Sequence, residues 1–252
     1  MRRCPVAIRI DGKAFHTFTR GFVKPFDTIL IETMQETMKY LCENIQGCVL
    51  GYTQSDEITL ILVDYQTFDT SAWFDYEVQK MCSIAASMAT MAFNKIFEQK
   101  INHYFDIESC MQYPEYHNPE ELKLIETYCK ASGKGAMFDA RVFNIPKEEV
   151  TNLIYWRQLD AARNSIQMVG QANFSHKQLE HKTCNMIQDM LIAEKGINWN
   201  DFPTCQKRGS CCIRKEVAVE GSATRSKWVV DTEIPLFKGE DRDYIDKLIT
   251  FD

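Results

Sequence analysis

The chain has 252 residues, a formal net charge of −6, and 45% hydrophobic and 25% charged residues, enough for a sizeable buried core. No apolar run reaches the roughly 18 residues that a membrane-spanning helix needs. The acidic balance excludes an indiscriminately basic nucleic-acid binder but allows a local basic groove. The chain has ten cysteines, and its start, Met1-Arg2-Arg3-Cys4-Pro5, runs straight into a strand pattern. The cysteines read as free thiols in a reducing compartment, cytoplasmic or an organelle matrix, with no signal peptide expected.

In chain order, Val6 to Ile10 alternates apolar and polar positions and predicts a first strand. A loop follows over 21–27, with Asp27 placed as a helix N-cap. Leu30, Met34, Met38, Leu41 and Ile45 recur at helical spacing, and Gly47 is the predicted stop. Cys48 to Tyr52 and Ile58 to Val63 predict a hairpin. A long helix is expected from about Ser71 to Phe97, with Phe74, Val78, Met81, Ala85, Met88, Ala92 and Ile96 on one face. An irregular polar insert over about His103 to Lys134 precedes a fourth strand, Phe138 to Ile145. A third helix is expected over Glu148–Gln171 and a fourth over Ser175–Glu194, then strands at Cys211–Val219 and Lys227–Ile234.

Strand, helix, strand, strand, helix, strand is the split βαβ order of a ferredoxin-like, palm-like α+β sheet with helices on one face. Residues 1–145 are expected to form this catalytic unit, and 146–252 a helical and β region packed on it.

Two stretches carry the chemistry: Ile8-Arg9-Ile10-Asp11-Gly12-Lys13-Ala14-Phe15-His16 and Gly51-Tyr52-Thr53-Gln54-Ser55-Asp56-Glu57-Ile58. Each delivers carboxylates at the end of an apolar strand. Taken singly, Asp11-Gly12 reads more readily as a turn, and Asp56-Glu57 could be charges that keep a hairpin end soluble. Together on neighbouring strands they suit a hard cation such as Mg²⁺ and substrate phosphates. Two such ions can clamp the attacking and leaving oxygens of a phosphoryl transfer. Strict alternation puts Asp56 in phase with Ile58 and Leu60, but Asp11 out of phase with Ile8 and Ile10. His103, Cys110, His117 and Cys129 share one segment, at spacings unlike compact zinc motifs.

Five motifs occur in order: Asp11 to His16, Lys24-Pro25-Phe26-Asp27, Ser55-Asp56-Glu57, Phe138-Asp139-Ala140-Arg141-Val142 and Tyr155-Trp156-Arg157-Gln158. They resemble the histidine-tRNA guanylyltransferase family, especially its Thg1-like branch. The resemblance implies a 3′-to-5′ polymerase that uses ATP and GTP or another nucleoside triphosphate to extend tRNA at its 5′ end. It also implies two Mg²⁺ ions on Asp11, Asp56 and the Gly12 carbonyl, with Glu57 as a supporting catalytic carboxylate. The triphosphate would lie along Asp11, Gly12, Lys13, Ala14, Phe15 and His16 and touch Ser55, with Lys24 and Asp27 contacting the nucleotide. Asp27 reads equally as a helix cap. A homo-oligomer, often a tetramer, is implied as well.

The chain departs from the family pattern in places. The guanylyltransferases proper carry His-Ile-Asn-Asn-Leu-Tyr-Asn-Thr after the Trp-Arg-Gln motif. Here Ala162-Arg163-Asn164-Ser165-Ile166-Gln167-Met168 stands there, which favours template-dependent 5′-end repair over dedicated addition of G-1 to histidine tRNA. Family members usually have a further helical segment before the first strand; here only about four residues precede it, as in either a truncated chain or a compact lineage. Arg157, Asp160, Asn164 and Gln167 share one face of the third helix, either solvated or a polar wall toward nucleotide or RNA. Lys207, Arg208, Arg214 and Lys215 form a local basic run, either plain surface or contacts to an RNA backbone. Ser175-His176-Lys177 offers a helix cap or a phosphate contact. A nucleotide cyclase and a non-catalytic nucleotide-binding module remain alternatives on the same frame.

Overall fold

The computed structural model describes residues 1–105, 118–219 and 223–251. Its centre is one antiparallel sheet of six strands in the order β4-β1-β3-β2-β5-β6. The strands are β1 (Val6–Gly12), β2 (Cys48–Gln54), β3 (Glu57–Leu62), β4 (Phe138–Asn144), β5 (Ser210–Val219) and β6 (Ala223–Asp231). The first four have the expected split βαβ arrangement. Gly51–Thr53 of β2 pairs with Ser210–Cys212 of β5, so the C-terminal hairpin lengthens the same sheet.

The two helices of the split βαβ unit, α2 (Thr28–Asn44) and α3 (Val78–Tyr104), cover one face. Ile8, Ile10, Ile58 and Leu60 point toward them and are buried with Met34, Met38, Phe93 and Phe97. A short helix α1 (Phe15–Phe18) follows β1 on this side. Ala7, Leu50, Tyr52 and Ile61 point to the other face. There they meet α5 (Val150–Asn173) and α9 (Asp243–Ile249) through Val150, Ile154, Ile245 and Ile249. Burial on both faces explains why β2 and β3 are buried along nearly their whole length.

Asp27 caps α2 as expected: its side chain accepts a hydrogen bond from the Leu30 amide. Several other boundaries differ from expectation. The second long helix starts at Val78 rather than Ser71, because Phe74, Asp75 and Tyr76 take positive φ in the preceding turn. It runs on to Tyr104, and Ala89, Phe93 and Phe97 join its buried face while Val78 is exposed.

The insert is not irregular throughout. Residues 106–117, with Cys110 and His117, lie outside the described residues. Pro119–Lys134 forms a helix, α4, that buries Ile125, Tyr128 and Ala131. Asn118 caps it, Pro119 opens it, and Gly135 follows it at φ 72°.

The fourth expected helix is broken. His176–Leu179 (α6) is followed by His181 at φ 58°, and a fresh cap at Thr183 opens Cys184–Met190 (α7), which ends in a π turn. Ser175 is engaged with Gln178 in a capping box. A short helix α8 (Thr204–Arg208) leads into β5. The last strand lies at Ala223–Asp231 rather than Lys227–Ile234.

Candidate active site

Strand alternation fails at Asp56 because Asp56 is not in a strand. Gln54 and Glu57 are paired, so Ser55 and Asp56 form a two-residue hairpin turn, with Ser55 at φ 51°. The turn resets the phase and brings Asp56 beside the end of β1. The Gly12 amide donates to the Asp56 carbonyl at 3.1 Å, and Asp11 is the register partner of Glu57. Asp11 at the end of β1 and Asp56 in the adjoining turn are thereby fixed side by side by backbone geometry.

Burial pushes the Asp56 carboxyl above its ordinary value, and the Asp11 and Glu57 charges push the same way; its own backbone and the Ser55 hydroxyl oppose them. Such a concentration of negative charge is relieved by a cation. Among the described residues, no three His, Cys, Asp or Glu side chains converge as a metal cluster. The donor set is two carboxylates and nearby backbone oxygens, with the hard chemistry that suits Mg²⁺ when substrate phosphates complete the shell.

Beyond Gly12 the chain turns sharply. Ala14 is left-handed at φ 53°, and the Lys13 amide donates to the Met137 carbonyl at 2.8 Å. A Cβ at Gly12 would stand 2.2 Å from the Phe15 ring. Phe15 is itself wedged among Phe18, Phe93 and Phe138 at centroid distances of 5.2–5.5 Å. Only glycine fits against that ring.

This turn borders a cavity of about 470 Å³. The first motif lines it with Gly12, Ala14, Phe15 and His16; the hairpin adds Ser55 and Asp56, and the loop before α2 adds Lys24 and Asp27. Lys13 and Asp11 are not on its wall. A smaller adjoining cavity of about 90 Å³ shares Asp27, Ser55 and Met168 and adds Asn164, Gln54 and Gln206. Sequence reasoning missed Met168, Gln54 and Gln206. They come from three distant segments, and only the helical phase of Asn164 pointed this way.

Two expected site carboxylates are already engaged. Asp27 is only 5% exposed; Oδ1 accepts from the Leu30 amide, and Oδ2 from the Val23 amide at 3.0 Å and the Tyr128 hydroxyl at 2.5 Å. Its geometry is that of the cap and loop anchor, rather than a carboxylate free to meet a nucleotide. Glu57 is 4% exposed. Arg157 forks onto both of its oxygens at 2.8 and 2.9 Å, and Arg9 reaches Oε2 at 2.7 Å. Glu57 therefore braces the turn that carries Asp56, with no free oxygen edge for base or ligand chemistry.

The face of α5 divides likewise. Arg157 also holds Asp160, which pairs with Arg163, and Asn164 lines the smaller cavity. Gln167 lines a separate groove with Gln171 and His176.

The basic run does not form one patch. Lys207 and Arg208 lie on α8, and the Arg208 carbonyl accepts from the Tyr52 hydroxyl at 2.8 Å, near the hairpin end of β2. Arg214 stacks over Trp228 at 5.2 Å. Lys215, the next residue along β5, points to the opposite face and pairs with Asp231 at 2.9 Å.

A palm-like antiparallel sheet with two aspartates, one at the end of β1 and one in the adjoining hairpin turn, beside a cavity of about 470 Å³ is the frame of a nucleotidyltransferase. The sequence profile of the tRNAHis guanylyltransferase family matches residues 1–146, and the chain belongs to that family. It is 27% identical over 235 residues to the tRNA(His) guanylyltransferase of Saccharomyces cerevisiae, covering 84% of each chain. A bacterial tRNA(His) guanylyltransferase (Thg1)-like protein in complex with ATP is 40% identical with a TM-score of 0.80, covering 100% of this chain and 93% of that one. Such a protein in complex with GTP is 38% identical with a TM-score of 0.74, covering 100% and 92%.

Proposed function

We propose that the protein is a Mg²⁺-dependent 3′-to-5′ polymerase that repairs the 5′ end of tRNA by template-directed addition. The observation that carries the proposal is the Gly12–Asp56 backbone bond, which fixes Asp11 and Asp56 side by side next to the cavity. The likeness to Thg1-like proteins in complex with ATP and GTP supports nucleoside triphosphates as the occupants.

Asp11, Asp56 and the Gly12 carbonyl would hold the Mg²⁺ ions. Bound there, the ions would neutralise phosphate charge and lower the pKa of the attacking hydroxyl. The chain's own residues do the positioning. The Gly12–Ala14 turn lets the backbone approach the triphosphate closely, and Ser55 and Lys24 present a hydroxyl and a positive charge to it. Glu57 and Arg157 keep the hairpin turn rigid.

On a 5′-monophosphate RNA, a phosphate oxygen attacks the α-phosphorus of ATP and pyrophosphate leaves. The 3′-hydroxyl of the incoming nucleotide then attacks the activated 5′ phosphate and AMP leaves. A 5′-triphosphate RNA skips the first step. No covalent enzyme intermediate is needed. Arg163-Asn164-Ser165, in the place of the family's Asn-rich motif, supports repair rather than dedicated G-1 addition. A family-type tetramer in a reducing, cytoplasmic compartment belongs to the same reading.

The test is incubation of 5′-truncated, 5′-monophosphorylated tRNA with ATP and labelled GTP, with Mg²⁺ or with EDTA. Label should enter the 5′ end only with Mg²⁺ and ATP present. Incorporation that survives EDTA would remove the metal from the proposal, and turnover of nucleotide alone to a cyclic product would replace the polymerase by a cyclase.

A further inference from the structure

The insertion helix α4 stands behind the wall of the nucleotide cavity and reaches it through one hydroxyl, that of Tyr128, which bonds the wall residue Asp27. Tyr128 is 2% exposed, and its ring packs on Phe22, Phe97 and Phe105 at centroid distances of 4.8, 6.2 and 5.9 Å. Its hydroxyl donates to Asp27 Oδ2 at 2.5 Å. The same oxygen accepts from the Val23 amide at 3.0 Å, and Oδ1 accepts from the Leu30 amide at 3.0 Å. One carboxylate thus joins three segments: α4, the loop that carries Val23 and Lys24, and the first turn of α2. Val23, Lys24 and Pro25 all line the 470 Å³ cavity. A second approach ties the same elements, since a Cβ at Gly21 would stand 3.1 Å from the Thr127 methyl.

We infer that Tyr128 is a positioning residue for nucleotide binding: through Asp27 it holds loop 23–27 in the shape that presents Lys24 to the cavity. The inference rests on the proposed nucleotide site and gives the insertion a role there. Burial and the Asp27 charge both push the Tyr128 hydroxyl pKa up, so it stays a donor at every physiological pH. Without that donor, Asp27 Oδ2 keeps only the Val23 amide, and the loop gains alternative conformations that bind the triphosphate less well.

Tyr128→Phe removes the hydroxyl and keeps the ring packing. Tyr244→Phe is the matched control. Its hydroxyl also donates to an aspartate, Asp231 Oδ2, at 3.0 Å, but on α9 at the other face of the sheet. ATP and GTP affinity of the full chain is measured directly, with steady-state KM and kcat for 5′ addition, thermal midpoints, and hydrogen exchange of the peptide covering 19–27.

For Tyr128→Phe, the nucleotide Kd and KM should rise roughly tenfold, as expected on removing a hydrogen bond to a charged group. kcat should change little, and exchange in 19–27 should speed up. For Tyr244→Phe, the thermal midpoint should fall comparably with nucleotide affinity unchanged. If wild type binds nucleotide and Tyr128→Phe binds it as well as Tyr244→Phe does, the inference is overturned while the nucleotide site stands. If wild type binds neither ATP nor GTP, the nucleotide site falls and the inference with it.

Discussion

Arg157 grips Glu57 with two parallel hydrogen bonds, Nε to Oε1 at 2.8 Å and Nη2 to Oε2 at 2.9 Å. The pair joins α5, from the C-terminal half, to the residue next to Asp56. Arg9 shares the carboxylate, so the buried charge is matched on both sides. Arg157→Ala leaves Glu57 with Arg9 as its one charged partner and should cost about 3 kcal/mol of stability. Arg157→Lys keeps the charge but loses the fork and should cost about 1 kcal/mol or more. Urea unfolding midpoints check both; equal stability of all three proteins would show that the pair does not brace the turn.

Asp11 and Asp56 are held close at an electrostatic cost, since burial and the charges of Asp11 and Glu57 raise the Asp56 carboxyl. Asp56→Asn removes a half-buried like charge. It should leave the thermal midpoint unchanged or higher while abolishing nucleotide addition, because a metal site contributes several kcal/mol of transition-state stabilisation. Asp11→Ala should likewise abolish addition and leave the fold intact. Near-normal turnover of either variant at saturating Mg²⁺ would remove that aspartate from the site.

Gly12 is fixed by the ring beneath it. Gly12→Ala puts a methyl into Phe15, whose ring is hemmed in by three other phenylalanines. Overpacking of this kind should cost about 1–3 kcal/mol and also lower nucleotide affinity, since the turn itself must shift. Calorimetry and a nucleotide titration read the two effects separately. Intact affinity in a destabilised variant would limit Gly12 to packing.

The dispersed basic residues should contribute unequally to RNA binding. Lys207 and Arg208 sit at the hairpin end of β2, whereas Lys215 is neutralised by Asp231. Reversing Lys207 and Arg208 together should weaken tRNA binding. It should also lower the slope of log K against log salt by about 0.7–0.9 for each phosphate that is no longer neutralised. Reversing Lys215 should leave the slope unchanged. A salt titration of tRNA affinity distinguishes them; the same slope in both variants and wild type would return α8 to plain surface.

The parts of this fold legible in the sequence are those set by local chemistry. Ile8 and Ile10 alternate, Leu30 to Leu41 repeat at helical spacing, and Asp27 is a cap by residue type and place. The hidden parts depend on partners distant in sequence. Nothing near Glu57 indicates that Arg157, a hundred residues on, closes over it. Alternation sets Asp56 and Asp11 in different phases because a two-residue turn with Ser55 at φ 51° leaves little local trace without glycine or asparagine. Helix α4 is obscured by the charges around Leu124 and Ile125, although Pro119 and Gly135 stand at the ends where helix boundaries are expected. The sheet's extension through Ser210–Cys212 is a nonlocal pairing that no periodicity in β5 announces.

The most direct measurement is 5′ addition to a tRNA lacking its first nucleotide, with each of the four nucleoside triphosphates offered against each of the four opposing bases. Template-directed repair predicts that the nucleotide forming a Watson–Crick pair is added efficiently in every case. Mismatched nucleotides should be added at least tenfold more slowly, on the order of what base pairing alone can discriminate. Entry of G alone, whatever base lies opposite and only on histidine tRNA, would contradict template-directed repair and establish dedicated G-1 addition instead.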